Sequence, residues 1–365
     1  MSDGLWRDGL WRDGLWRDGL WRDGVVLATN NGDIGGGEVM LLSLAAALEE
    51  LGVAVTVVGP SQPGRLVAAA RAAGHRVVEL EASGRRGWMR ALRRWDASSR
   101  AGVLWCNGLV PAVATAGRGR RVVHLHQLPH GAQRALVPLA RAGALATVVP
   151  SRFLAAAVRG ASVLENWCAP VQPAGRREQR DGVTVLGFLG RPSVAKGVVV
   201  LAEALALLEA AEPGAHRLLL AGEPRFVSER ARREVEAALA PVAALVDRPG
   251  WLAPADFFAR VDLVVVPSVE PESFGLVVAE AMSARLPVLV SDAGALMEVS
   301  GPSISDRIPA GDAGMLAAAL RGATIEERLA ETAGRHARWS EEFSPEAGRR
   351  RVREFLRSLE EKGAE

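Results

Sequence analysis

The chain of 365 residues contains no tyrosine, two cysteines and, among 44 basic residues, only two lysines, Lys196 and Lys362. Cys106 and Cys168 are too few for a disulfide framework and supply no metal-ligand set by themselves. The six histidines are scattered, and no Asp-x-Asp run stands at a strand end beside a phosphate partner. No metal site and no cofactor are therefore expected. No apolar run reaches the roughly 20 residues of a membrane-spanning helix. The N-terminus lacks the apolar centre of a signal peptide. A reduced, cytoplasmic protein is expected. The formal net charge of +2 is too small for the basic footprint of a nucleic-acid-binding chain, so no nucleic-acid partner is expected. Against so little lysine, Lys196 stands out.

The content that remains is 49% hydrophobic and 24% charged, an ordinary soluble composition long enough for two domains with sizeable cores. Residues 3–24 repeat Asp-Gly-Leu-Trp-Arg four times and begin a fifth unit. A period of five fits neither helix nor strand, so residues 1–24 are expected to be disordered. A second reading makes the tryptophans an interfacial anchor.

From Val25 the pattern alternates. A strand over Val25–Thr29 runs into a glycine loop ending in Gly36 and Gly37, then a helix over Glu38–Leu51. Glycine there lets backbone approach a ligand closely. Strands over Val53–Val58, Val77–Leu80, Val103–Cys106 and Arg121–His126 follow, separated by helical segments. This is the pattern of a parallel sheet with helices on both faces, hence α/β. Ligands of such sheets gather at the carboxyl ends of strands. His126 at the end of the last of these strands is therefore a candidate, with His124 as the alternative. Residues 171–182, rich in Pro, Gly, Arg and Gln, read as a linker between a domain over 25–170 and a second over 183–340. Residues 341–365 form a closing helix.

In the second domain the strand Val185–Leu189 leads through Gly190-Arg-Pro-Ser-Val-Ala-Lys-Gly197 into a helix. Arg191 offers a forked donor and Lys196 a point charge, both at a helix N-terminus suited to an anion. Further on, an apolar strand ending at Ser268 is followed by Glu-Pro-Glu-Ser-Phe-Gly-Leu-Val-Val-Ala-Glu over 270–280. Leu276–Ala284 reads as the crossover helix to the strand Pro287–Ser291. Ser273, Phe274, Gly275 and Leu276 place unpaired amides at its start. Glu272 lies just outside, and Glu280 sits a turn inside among apolar residues. Such a carboxylate is costly unless a hydrogen-bond donor meets it, and sugar or ribose hydroxyls are donors of that kind.

Glu272 and Glu280, seven residues between them, resemble the paired-glutamate motif of retaining GT-B glycosyltransferases (family 4, group 1). The segment from Arg191 to Gly197 resembles that family's diphosphate clamp. Gly36 and Gly37 resemble the glycine segment that opens its N-terminal domain, and Asp292–Ala295 the loop that closes over the donor. Asn166-Trp-Cys-Ala169 departs from the family's usual Asn-Gly-Val-Asp. The resemblance covers roughly residues 25–360 and implies two Rossmann-like doubly wound domains facing across a cleft. It implies a metal-independent hexosyl- or glycosyltransferase that moves sugar from a nucleoside-diphosphate sugar to a glycan, lipid-linked or small-molecule acceptor. Glu272, His126, Arg191 and Lys196 would be catalytic. Glu280, Gly190 and the backbone near Trp251 would hold ribose, phosphate and base. The closing helix would cross back to the first domain. The alternatives are a sugar-nucleotide epimerase of the same fold and a non-catalytic sugar-nucleotide-binding protein. Arg85–Trp95 is a basic amphipathic helix with two readings. It is either a patch that meets the inner membrane face or a helix whose apolar stripe packs on the sheet.

Overall fold

The structure, a computed structural model, describes residues 19–175, 182–224, 227–301 and 307–364. The first three repeats, with Trp6, Trp11 and Trp16, and residues 176–181 of the expected linker lie outside the described residues. The chain packs into two compact units. Unit 1 comprises Met1–Pro150, Leu154–Glu165 and Pro345–Glu365, and unit 2 comprises Ser151–Phe153 and Asn166–Ser344. The division falls ahead of the expected linker.

Unit 1 runs β1 (Val25–Ala28), α1 (Gly36–Glu50), β2 (Val55–Pro60), α2 (Arg65–Ala72), β3 (Arg76–Leu80), α3 (Gly84–Ser98), β4 (Val103–Asn107), α4 (Leu109–Ala114), β5 (Arg121–His124), α5 (Ala132–Arg141), β6 (Ala146–Val149), α6 (Arg152–Ala157) and β7 (Ser162–Val163). Its strands are all parallel, in the order β3-β2-β1-β4-β5-β6-β7. β1 and β4 are buried at every position because helices cover both faces of the sheet. Connections from β1 leave toward β2, whereas β4 lies on its other side. The order therefore reverses between β1 and β4, which makes that crevice the unit's switch point. The helix α5 was not expected from the sequence, and it carries Pro138 inside it.

One expectation changes here, and one of the two readings of α3 is met. Of the repeat expected to be disordered, residues 19–24 are built into the fold. Trp21 is 1% exposed, and its Nε1 donates to the Leu356 carbonyl at 3.2 Å. A burial this complete leaves that tryptophan unable to serve as an interfacial anchor. In α3, Trp88 and Leu92 are buried in the unit's core with Trp95 packed against it, so the stripe faces the sheet. Arg85, Arg86, Arg90 and Arg94 are exposed. Arg93 donates to the carbonyls of Ala114 and Ala116 at 3.1 and 3.2 Å.

The last helix, Pro345–Ala364, returns to unit 1 as a separate element of 20 residues. Its Arg349 pairs with Glu50 of α1, its Phe355 ring meets Trp105 edge-on at 5.5 Å, and its Arg351 lies 3.3 Å from Glu165.

Unit 2 repeats the scheme with β8 (Thr184–Leu189), α7 (Val198–Ala211), β9 (His216–Ala221), α8 (Glu229–Leu239), β10 (Val246–Gly250), α9 (Pro254–Phe258), β11 (Leu263–Val266), α10 (Leu276–Ser283), β12 (Val288–Ser291), α11 (Leu296–Ser300), β13 (Arg307–Ile308), α12 (Ala313–Arg321) and α13 (Ile325–Arg338). The order is β10-β9-β8-β11-β12-β13, again parallel. One core lies under α7 and α12, around Leu201, Leu205 and Leu316. The other lies under α10, around Val278, Met282, Phe257 and Phe343. Here the order reverses between β8 and β11.

Replacing Trp21 with Ala should lower unfolding free energy by about 3–5 kcal/mol, the usual cost of emptying a buried tryptophan site. Denaturant unfolding checks this. A change within experimental error would show that the repeat's last unit is not part of the core.

Candidate active site

At the unit 2 switch point two loops meet, the one after β8 (190–197) and the one after β11 (267–275). Gly197 has φ +76, and a Cβ there would lie 1.8 Å from the Pro267 carbonyl oxygen. Only glycine lets the loops touch. Across the same junction the amides of Val269 and Glu270 donate to the Ala195 carbonyl at 2.9 and 3.1 Å. Gly222 is equally confined, since a Cβ on it would lie 1.8 Å from the Gly190 carbonyl oxygen.

This contact brings Lys196 to Glu272. The Lys196 ammonium lies 2.5 Å from Glu272 Oε1, and Ser268 Oγ donates to the same oxygen at 2.5 Å. The lysine side chain is 41% exposed and the glutamate 13%. An ammonium has three donors, so Lys196 can keep this partner and still meet an anion. Ser268 is itself buried, and its carbonyl accepts from Ser291 Oγ at 2.6 Å. The backbone of Glu272 is also held, since its carbonyl accepts from Ala295 at 2.9 Å. Gly294 at φ +65 has no room for a side chain, because a Cβ would sit 2.4 Å from the Glu272 oxygen. The loop Asp292–Ala295 is thus clasped to Glu272.

Three residues on, Gly275 (φ +101) opens α10, with a Leu296 methyl where its Cβ would be. No side chain caps this helix. Among the described residues nothing accepts from the Leu276 and Val277 amides, so they remain for an anion. The Ser273 side chain is partly exposed, whereas the Phe274 ring is buried edge-on to Phe343 at 5.5 Å and offers only its backbone. Arg191 is exposed just past Gly190, and Trp251, past Gly250, is 69% exposed.

Glu280 lies deeper. No donor among the described residues meets its carboxyl. Burial raises its pKa from the ordinary 4.5 to about 7. The Cys168 thiol, pushed up by burial and then by Glu280, accepts from Trp339 Nε1 at 3.3 Å. Cys168 belongs to the stretch that departs from Asn-Gly-Val-Asp.

The remaining candidates belong to unit 1. Gly36 and Gly37 form the first turn of α1 rather than a loop before it, with Gly35 as N-cap. β5 ends at His124, so His126 lies two residues beyond the strand rather than at its end. Leu125 still donates to Val148 of β6 at 3.0 Å, and the ladder stops there. His126 Nε2 lies 2.6 Å from Asn107 Oδ1, and Asn107 Nδ2 donates to the Gly37 carbonyl at 3.2 Å. Burial lowers the His126 pKa to about 4. His124, the alternative, is buried and accepts from Trp105 Nε1 at 3.3 Å. Ser268 and Asn107 were missed by the sequence reading. Asn107 ends β4 and Ser268 lies two residues past β11; a polar residue just after an apolar run is the one signal that could have found them.

The fold and the site's residues now have counterparts. The description "Glycosyl transferases group 1" matches residues 183–324, and "Glycosyltransferase Family 4" matches residues 34–166. The chain belongs to the group 1, family 4 glycosyltransferases. A relative of this glycosyltransferase in Jonesia denitrificans, named D-inositol 3-phosphate glycosyltransferase, is 34% identical over 167 residues, 42% of this chain and 38% of the relative. One of the same name in Rhodococcus erythropolis is 34% identical over 180 residues, 45% of this chain and 38% of the relative. The match thus spans under two fifths of the length of these curated relatives. Anabaena HepE in complex with UDP and glucose superposes with TM-score 0.79 at 21% identity, over 92% of this chain and 99% of that one. Sucrose-phosphate synthase from Thermosynechococcus elongatus superposes at 0.78 and 19% identity, over 93% and 99%. The fold is GT-B.

Glu280 yields a test. An acid with a raised folded-state pKa holds its proton better folded than unfolded. Its contribution to stability is full below about 4.5 and is lost as pH rises through about 7. The glycosyltransferase should lose roughly 3 kcal/mol through this group between those limits. Glu280→Gln should flatten that part of the pH profile and stabilise the unliganded protein at about pH 8. Denaturant unfolding across pH measures it. Parallel profiles for the two proteins would contradict a half-buried, uncompensated Glu280.

Proposed function

We propose that this glycosyltransferase transfers a hexosyl group with retention from a nucleoside-diphosphate sugar, UDP-glucose being the first candidate, to a hydroxyl of a phosphorylated small-molecule acceptor. The observation that carries the reading is the Lys196–Glu272 pair, set beside the unpaired amides of α10 at the unit 2 switch point. A diphosphate leaving group gains negative charge as the glycosidic bond breaks. Lys196, Arg191 and the Leu276 and Val277 amides supply fixed positive potential there. Glu272, held on one oxygen by Ser268 and Lys196, keeps its other oxygen for donor-sugar hydroxyls. Glu280 is the half-buried acceptor whose missing donors are the ribose hydroxyls, and the backbone near Trp251 would meet the base. Gly36, Gly37 and His126 would serve the acceptor side. The UDP and UDP-glucose of HepE support the donor class, and the relatives' names support the acceptor class. Unit 1's composition agrees. Between Asp96 and Glu165 it carries seven arginines and no carboxylate, a composition that favours an anionic acceptor. No helix among the described residues is long and apolar enough to cross a membrane.

The test is UDP release from UDP-glucose with and without D-inositol 3-phosphate, in excess EDTA. Acceptor-dependent release that persists in EDTA is expected. Epimerised donor without release, or binding without turnover, would favour the two alternatives. Loss of activity restored by magnesium would overturn metal independence. Arg191→Ala and Lys196→Ala should each weaken UDP binding by roughly 1.5–3 kcal/mol in calorimetry, with the fold intact. Unchanged affinity would remove them from the diphosphate site.

A further inference from the structure

In unit 1, α3, α4 and α5 lie side by side over one core. α3 turns its apolar stripe toward that core, but α5 is apolar on both sides. Its inward side is covered, since Ala140 is fully buried and Val137 packs against the core. Its other stripe, Ala132, Ala135, Leu136 and Leu139 at i, i+3, i+4 and i+7, points outward. Leu136 is 39% exposed and Leu139 49%, and Leu145, just past the helix, is 43% exposed. A helix apolar all round belongs in an enclosed place, and a contiguous apolar stripe left on the surface marks a contact site.

The charge around the stripe has one sign. Arg134 is exposed beside its start. Arg141 at its end donates to the Arg159 carbonyl at 2.6 Å, which brings the exposed Arg159 alongside. None of these three pairs with a carboxylate among the described residues. Unit 1 has no carboxylate between Asp96 and Glu165, and both of those are paired, with Arg100 and Arg351. On the same layer α3 adds the exposed Arg86, Arg90 and Arg94.

Two observations select what covers the stripe. A second copy meeting it through the same face would set arginine against arginine with no carboxylate to answer. A protein partner needs hydrogen bonds across the contact, roughly one per 100–200 Å². Yet Ala132, Ala135, Leu136, Pro138 and Leu139 carry no side-chain donor or acceptor. A lipid bilayer asks for neither. Its acyl boundary takes aliphatic side chains, and its headgroup phosphates take guanidinium groups at the rim.

We propose that α5 is a docking face for an anionic lipid bilayer, with Leu136, Leu139 and Leu145 entering the acyl boundary and Arg134, Arg141 and Arg159 meeting the headgroup phosphates. The basic helix α3 lends this face charge at longer range, whereas the apolar contact belongs to α5. The assignment uses unit 1 alone and does not rest on the transfer reaction.

The test is co-sedimentation of the full chain with vesicles of phosphatidylcholine alone and of equimolar phosphatidylcholine and phosphatidylglycerol, at low and high salt. Binding to the mixed vesicles only, weakened by salt, is expected. Leu136→Gln with Leu139→Gln should lower the partition coefficient about tenfold or more. Arg134→Gln with Arg159→Gln should lower it by a similar factor. All four side chains are exposed, so circular dichroism should match the parent protein. A polarity-sensitive fluorophore at Leu139→Cys, the two native cysteines being buried, should shift to the blue with mixed vesicles only. Sedimentation with neither vesicle, equal sedimentation with both, or no change on replacing the leucines would overturn the assignment. A dimer in analytical ultracentrifugation that the leucine replacements dissolve would give the stripe to a second copy instead. These readouts do not use transfer activity, so they judge the docking face even if UDP-glucose proves to be no substrate.

Discussion

The Pro267 carbonyl occupies the space where any other residue at 197 would carry a side chain. That single backbone-to-backbone contact presses the loop after β8 against the loop after β11. Lys196 precedes it, Ser268 follows it, and Glu272 is one turn of chain further on. The parallel sheet supplies the reason it matters. β8 and β11 are neighbours whose connections depart in opposite directions, so a crevice opens between their ends. A residue with a Cβ at 197 would separate the loops and dissolve the cluster, though no member of the cluster had changed.

The cluster is built for ligand contact more than for stability. Lys196 is too exposed for its ion pair to contribute much to folding. Glu280 is half-buried without a donor among the described residues, an arrangement that costs free energy in the unliganded protein. Two amides at the start of α10 have no acceptor, and no side chain caps that helix. Each of these groups is unsatisfied in a different sense: a cation with spare donors, a carboxyl lacking donors, amides lacking an acceptor. The proposed donor, with a diphosphate and vicinal hydroxyls, would satisfy all three. Their coincidence at one strand end is a stronger argument than any of them alone.

Unit 1 solves a different problem. Its switch point is lined by neutral, buried imidazoles whose cost is met by directional partners, Trp105 at one end and Asn107 at the other. A cation or a free carboxylate there would be hard to bury, and neither is present among these side chains.

Much of this was legible in the sequence, for physical reasons. Continuous apolar runs of four to six residues between helical segments dictate buried parallel strands, and β1, β4, β11 and β12 lie within two residues of where the pattern puts them. Glycine before a helix and isolated charge among apolar neighbours dictate that Lys196, Glu272 and Glu280 need an external partner. Other features depend on neighbours distant in the chain, and these only the tertiary structure decided. A five-residue repeat has no periodic face, so nothing local shows that Trp21 would find the Leu356 carbonyl 335 residues away. The partner of Glu272 lies 76 residues back, and the ring that Asn107 meets lies 19 residues on. Composition determines which groups must be satisfied; sheet order determines which of them meet.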